Sequence, residues 1–157
     1  MIDNFGNFQN LEFLAQLFLA ALLGALVGIE REASKKTAGM RTFSLVSLGS
    51  ALFSIISLYP FAMNGIVSPS VNLTHIAAQI VTGVGFIGAG LIIFDKTSVR
   101  GVTTAAGLWL AAAIGMAVGF RFYLLAIFTT FLALFIFVFL WRIEEKIFKK
   151  GQSDGLS

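Results

Sequence analysis

The sequence has no cysteine, a single histidine (His75) and almost no charge inside its long apolar runs. Without cysteine there can be no disulfide, iron–sulfur cluster, thiolate zinc site or cysteine nucleophile. The lone His75 sits beside no serine or carboxylate with which the sequence could pair it. No serine-type triad can be assembled, and the chain is read as something other than an enzyme. Only 12% of residues are charged, about half the share of a typical soluble domain. No lysine or arginine precedes Arg31, so the positive segment that opens a secretory signal is missing. The first apolar run is therefore read as a retained span.

What is present is apolar: 57% of the chain is hydrophobic and the mean hydropathy is +0.90. A span needs about 20 apolar residues, and five stretches approach that: 11–29, 42–63 (interrupted late by Pro60), 74–94, 102–119 and 122–141. Backbone polar groups in lipid must be satisfied within the segment, so the expected form is helix. The runs are too long and too uniformly apolar for the strands of a membrane barrel. The predicted fold is an all-α bundle of five transmembrane helices over residues 1–145, followed by a short basic and then flexible tail, 146–157.

Ten of the eleven lysines and arginines fall in the first loop, the third loop and the C-terminal tail; the exception is Arg121. Basic residues favour the cytoplasmic side. This places the N-terminus outside and the C-terminus in the cytoplasm, which requires an odd number of spans. The chain is thus expected to be multi-pass, with the lipid bilayer as its first partner. Tyr123 and Trp141, at opposite ends of the fifth run, suit the two interfaces. The basic charges belong to this pattern and not to a nucleic-acid surface.

The fifth run holds six phenylalanines (122, 128, 131, 135, 137 and 139) and no glycine, so much of it is expected to face lipid. The first run carries Ala20, Gly24 and Gly28, and the fourth carries Ala111, Gly115 and Gly119. Small residues four apart let helix backbones approach closely, within the bundle or between copies of the chain. Ser47, Ser50, Ser54 and Ser57 share one quadrant of the second run, as glue for a neighbouring helix or as the lining of a polar path.

Gly83-Val-Gly85-Phe-Ile-Gly88 has the spacing of a dinucleotide fingerprint. It lies inside an apolar run with no preceding strand and no acidic residue about 20 positions on, so nucleotide binding is rejected. Gly83, Gly85, Gly88 and Gly90 are read instead as helix packing or a locally unwound segment. Gln79, within the same run, is the polar residue best placed for a path through the bundle, or for an interhelical hydrogen bond. Glu30, Glu32 and Asp95 offer hard oxygen ligands suited to Mg²⁺. Arg31, Arg41 and Arg100 are equally good carboxylate partners, and Thr103 and Thr104 follow at the start of the fourth run.

These residues also carry a resemblance. Gly28-Ile-Glu30-Arg31-Glu32, Ala38-Gly39-Met40-Arg41-Thr42 and Gly49-Ser50-Ala51-Leu52-Phe53 resemble the opening motifs of the MgtC/SapB family. The segment Ile76 to Gly90 resembles its central motif. Val99-Arg100-Gly101-Val102-Thr103-Thr104, with Trp109 and Gly115, resembles its third. The resemblance implies a bacterial inner-membrane protein of five spans linked to magnesium homeostasis. Its members are described as Mg²⁺ transporters or as regulators of other membrane proteins, such as an ATP synthase or a Mg²⁺ transporter. Homo-oligomerisation is expected, with no cofactor and with Mg²⁺ as possible ligand or substrate. Two features depart from the family pattern. Many members carry a soluble C-terminal domain after the last span, whereas this sequence ends at Ser157. Leu73-Thr74-His75-Ile76 stands where members often have Asp-Pro and an arginine.

Overall fold

A computed structural model describes the backbone of residues 2–64, 73–144 and 146–147, with side chains from 10–58, 75–144 and 146–147. The side chain of Thr74 lies outside the described ones, as does the tail beyond 147. Five helices follow in order: α1 (Ile2–Ala33), α2 (Met40–Asn64), α3 (Leu73–Ala89), α4 (Val102–Gly119) and α5 (Tyr123–Phe135). The last passes through a π-helical segment, Ile136–Leu140, and resumes as α-helix through residue 144. The all-α expectation holds. Among the described residues, four helical stretches are long and apolar enough to cross a membrane: Asn10–Ala33, Met40–Leu58, Val102–Gly119 and Tyr123–Glu144. The third helix is shorter than expected.

The run 74–94 does not continue as helix to Phe94. Gly88 and Gly90 weaken its end, each interior glycine costing about 1 kcal/mol of helix propensity. The chain turns through Leu91 N–H to the Gly88 carbonyl (3.0 Å) and Ile92 N–H to the Ala89 carbonyl (3.1 Å). It then forms a small antiparallel hairpin of β1 (Ile93–Asp95) and β2 (Ser98–Arg100), with Ile93 opposite Arg100 and Asp95 opposite Ser98. Gly101 returns the chain to α4 at φ +88, and a Cβ there would stand 2.0 Å from the Leu91 carbonyl oxygen. Only glycine fits that corner.

Helices α1, α2 and α4 form the centre, with α5 against α4 and α1 and α3 against α4 and α2. The core holds Ala20, Leu23, Val27, Phe43, Leu108 and Ile114. A smaller cluster of Ile80, Val84 and Ala112 seats α3. Four glycines set the closeness of the centre, among them Gly119, where a Cβ would lie 2.7 Å from the Ala51 carbonyl oxygen. A Cβ on Gly24 would lie 2.6 Å from the Phe43 carbonyl oxygen, one on Gly28 2.6 Å from Met40 Cα, and one on Gly115 2.0 Å from the Ser47 carbonyl oxygen. In lipid no hydrophobic force drives helices together, so such backbone contact is what holds them.

The serine file on α2 is buried in this seam. Ser47 Oγ donates to the Ala20 carbonyl on α1 (2.8 Å), Ser54 to the Ser50 carbonyl (2.8 Å) and Ser57 to the Ser54 carbonyl (2.7 Å). Of the two readings left open by the sequence, the hydrogen bonds match adhesion and local satisfaction.

Candidate functional site at the loop end of the bundle

The candidate charged residues gather where α1 ends, α2 and α4 begin and α5 finishes. Helix α1 ends in a turn that sequence reasoning missed. Lys36 N–H reaches the Arg31 carbonyl and Lys35 N–H the Glu32 carbonyl, both at 3.0 Å, with Lys35 at φ 54. This is the hydrogen-bond pattern usually closed by a glycine; here a lysine takes the left-handed position. The turn points Glu32 at the start of α2, where its Oε2 accepts the Met40 N–H at 3.0 Å. A carboxylate there satisfies an orphan helix donor and complements the helix dipole. Gly39 makes the approach possible, since a Cβ on it would stand 2.7 Å from that same oxygen.

Arg31 is buried, its side chain 4% exposed, and pairs with Glu30 Oε2 through both Nε and Nη2. Glu30 Oε1 accepts the Ser34 hydroxyl at 2.8 Å. The Phe137 ring covers the guanidinium, 3.8 Å from Cζ to the ring centroid, a favourable arrangement for a desolvated cation. Gly107 admits that ring: a Cβ there would lie 2.9 Å from Phe137 Cζ and 3.3 Å from Phe43 Cε1. Residues of α1, α2, α4 and the end of α5 thus converge on one point. Phe137, grouped by sequence among lipid-facing phenylalanines, partly turns inward to this site.

The remaining candidates are dispersed. Arg41, Asp95, Arg100 and Thr103 are exposed, and Thr104 is buried. Among the described residues no group of three His, Cys, Asp or Glu side chains stands close enough to hold a metal ion. Glu30 and Glu32 share the end of α1, but each already has hydrogen-bond partners, and Asp95 sits on the hairpin. What this end presents outward is mainly positive: Lys35, Lys36, Arg41, Lys96, Arg100, Arg142 and Lys146 are exposed, against the exposed acids Glu32, Asp95 and Glu144.

The opposite end holds a second polar group. Gln16 is 2% exposed, and its Nε2 donates to the Tyr123 hydroxyl at 2.8 Å while Oε1 has no partner among the described residues. Arg121 pairs with Glu12 at 3.1 Å, tying α1 to the α4–α5 turn. A glutamine within an otherwise apolar run was the available sequence signal.

Gln79, Gly83 and Gly85 are not inside the bundle. Gln79 is exposed on α3, and a Cβ on Gly83 or Gly85 would meet nothing within 4 Å. Gly88 faces Ala105 at 3.7 Å, ordinary contact, and Gly90 lies in the turn after α3. An open groove of about 500 Å³ runs between α2 and α3, walled by Gly49, Ser50, Gln79 and Gly83.

The profile of the MgtC family matches residues 17–146. A relative from Escherichia coli (strain K12) named "Putative magnesium transporter YhiD" is 41% identical over 141 residues, covering 89% of this chain and 66% of the relative. "Protein MgtC" of Brucella abortus (strain 2308) is 45% identical over 100 residues, covering 64% and 39%. "Protein MgtC" of Salmonella typhimurium (strain 14028s / SGSC 2262) is 44% identical over 107 residues, covering 68% and 43%. The chain therefore spans just under two thirds of one relative and about two fifths of the others. No solved structure matches.

Proposed function

The chain belongs to the MgtC family, and from that premise we propose that it serves magnesium homeostasis in a bacterial inner membrane as a non-transporting regulator, binding another membrane protein. The loop end faces the cytoplasm in this reading, as its basic residues favour. The observation that carries it is how the bundle's polar groups are used. The buried Arg31 is taken by Glu30 and Phe137, and the buried Ser47, Ser54 and Ser57 donate to backbone carbonyls. Ser47 and the Arg31–Phe137 contact join helices, while Ser54 and Ser57 are satisfied within α2. The cations of the loop end remain outward and free to meet an acidic surface on a partner.

Mg²⁺ transport is the second reading. The relative named as a magnesium transporter favours it, as does the groove beside Gln79. A hydrated divalent ion calls for several oxygen ligands, and the groove supplies Gln79 and Ser50 among mainly apolar side chains.

Purified protein in liposomes with a trapped Mg²⁺ dye separates the two. The regulatory reading predicts entry no faster than in protein-free vesicles, with cross-linking at Arg41 or Arg100 in native membranes capturing a partner. Mg²⁺ entry proportional to protein, and lost in Gln79→Leu, would establish the transport reading instead.

A further inference from the structure

We infer that the β1–β2 hairpin lies on the membrane surface, with its Phe94 and Val99 face sunk into the boundary between headgroups and acyl chains and Lys96 at the lipid phosphates. The inference goes beyond both functional readings and depends on neither.

The pairing register sorts the hairpin's side chains into two faces. Successive residues of a strand point to opposite sides, and directly opposed residues share a side. Phe94 stands opposite Val99, so this pair makes an apolar face. Ile93 opposite Arg100 and Asp95 opposite Ser98 make the other, which is mostly polar. Phe94 is 79% exposed and Val99 52%, and no described part of the protomer covers either face. A lone two-stranded hairpin is marginal at best in water, and each strand here has only three residues. Something outside the protomer must support it.

The length of α4 fixes the depth at which the hairpin sits. Its 18 residues reach about 27 Å, against a hydrocarbon core about 30 Å thick. A helix of that length crosses only with its two ends at the two interfaces. Gly101 is the one residue between the hairpin and α4, and it turns against the Leu91 carbonyl. Leu91 itself packs on the core, so the base of the hairpin is held at the interface. Phe94 and Val99 are the middle residues of their strands, about 5 Å from that base. The headgroup layer is about 5–7 Å deep, so both remain at its depth however the hairpin leans.

Lipid fits this surface better than a protein does. Two apolar side chains fall far short of the roughly 20–30 residues a side of a stable protein interface. Lys96 stands at the turn, exposed and at φ 28, where its stem can lie along the apolar layer and its ammonium meet phosphate. The same end of the bundle carries exposed Lys35, Lys36, Arg41 and Arg142, the charge that an anionic leaflet attracts. Asp95 and Arg100, on the polar face, stay in water.

The chain has no native cysteine, so single nitroxide labels can be placed at Phe94→Cys, Val99→Cys and, on the polar face, Ser98→Cys. Phe131→Cys on α5, 61% exposed, is the lipid-facing reference. All four positions are exposed, so no label displaces a packed side chain. The whole chain is reconstituted in vesicles of phosphatidylethanolamine and phosphatidylglycerol. Relaxation of each label by oxygen, which concentrates among acyl chains, is compared with relaxation by a water-soluble nickel chelate. Labels at 94 and 99 should favour oxygen, as at 131, and the label at 98 should favour nickel. Adding Lys96→Gln to Val99→Cys should raise the nickel-to-oxygen ratio about fivefold, the factor that one cation contributes near an anionic surface. An unchanged ratio would overturn the role given to Lys96. Nickel access at 94 and 99 equal to that at 98 would leave the apolar face in water, and shielding from both reagents would mean that protein covers it; either result overturns the inference.

Discussion

Gly115 and Gly83 are the same residue in the same kind of apolar helix, and their surroundings are opposite. At Gly115 an added Cβ would sit 2.0 Å from the Ser47 carbonyl oxygen; at Gly83 it would meet nothing within 4 Å. The four-residue series on α1 and α4 thus mark backbones that approach within the chain, whereas Gly83, with Gln79 and Ile87 four positions away on either side, belongs to no such series. The centre of α1, α2 and α4 spends its glycines within the protomer. The face of α3 has glycines for which the protomer provides no partner.

The comparison can be sharpened by substitution, in unfolding experiments on detergent-solubilised protein. The largest effect is expected from Gly115→Ala, which forces α4 off the Ser47 backbone; overpacking of this kind costs about 3 kcal/mol. Gly24→Ala, whose Cβ would stand 2.6 Å from the Phe43 carbonyl oxygen, should cost about 2 kcal/mol by the same mechanism. Arg31→Met leaves Glu30 without its buried cation and exchanges the charge under Phe137 for a thioether. A loss of about 2 kcal/mol is expected, tempered by the Ser34 hydrogen bond that Glu30 keeps. Ser47→Ala removes the bond to the Ala20 carbonyl between α1 and α2, worth about 0.6 kcal/mol in comparable membrane bundles. If Ser47→Ala were to cost as much as Gly115→Ala, adhesion in the centre would be polar rather than steric.

Much of the bundle was legible in the sequence. The fourth helix runs over the expected 102–119, because its apolar run is bounded by Gly101 and by Phe120-Arg121. The end of α3 was not legible, since Leu91–Phe94 is as apolar as the helix before it. Periodicity cannot separate helix from strand in a short continuous apolar run. The turns after α1 and α4 escaped notice because Lys35 and Arg121 occupy left-handed positions where glycine is the usual signal.

At the candidate site, the pairing of an arginine with a glutamate was legible, but not which ones. That Arg31 lies buried under Phe137 depends on Gly107, a long-range fit that no local pattern encodes. Glu30, Glu32 and Asp95 look alike in the sequence, yet Glu30 holds a cation, Glu32 caps α2, and Asp95 sits on the hairpin opposite Ser98. Gln79 stood out as polar, and the structure places it on the outside of the bundle rather than within.

The most direct test is the unfolding of Gly83→Ala in the assay used for Gly115→Ala, with protein dilute enough to be monomeric. The open surroundings of Gly83 predict no loss and a gain of up to about 1 kcal/mol from helix propensity. A loss as large as that of Gly115→Ala would show that Gly83 is packed within its own chain, and the distinction between the two regions would fall.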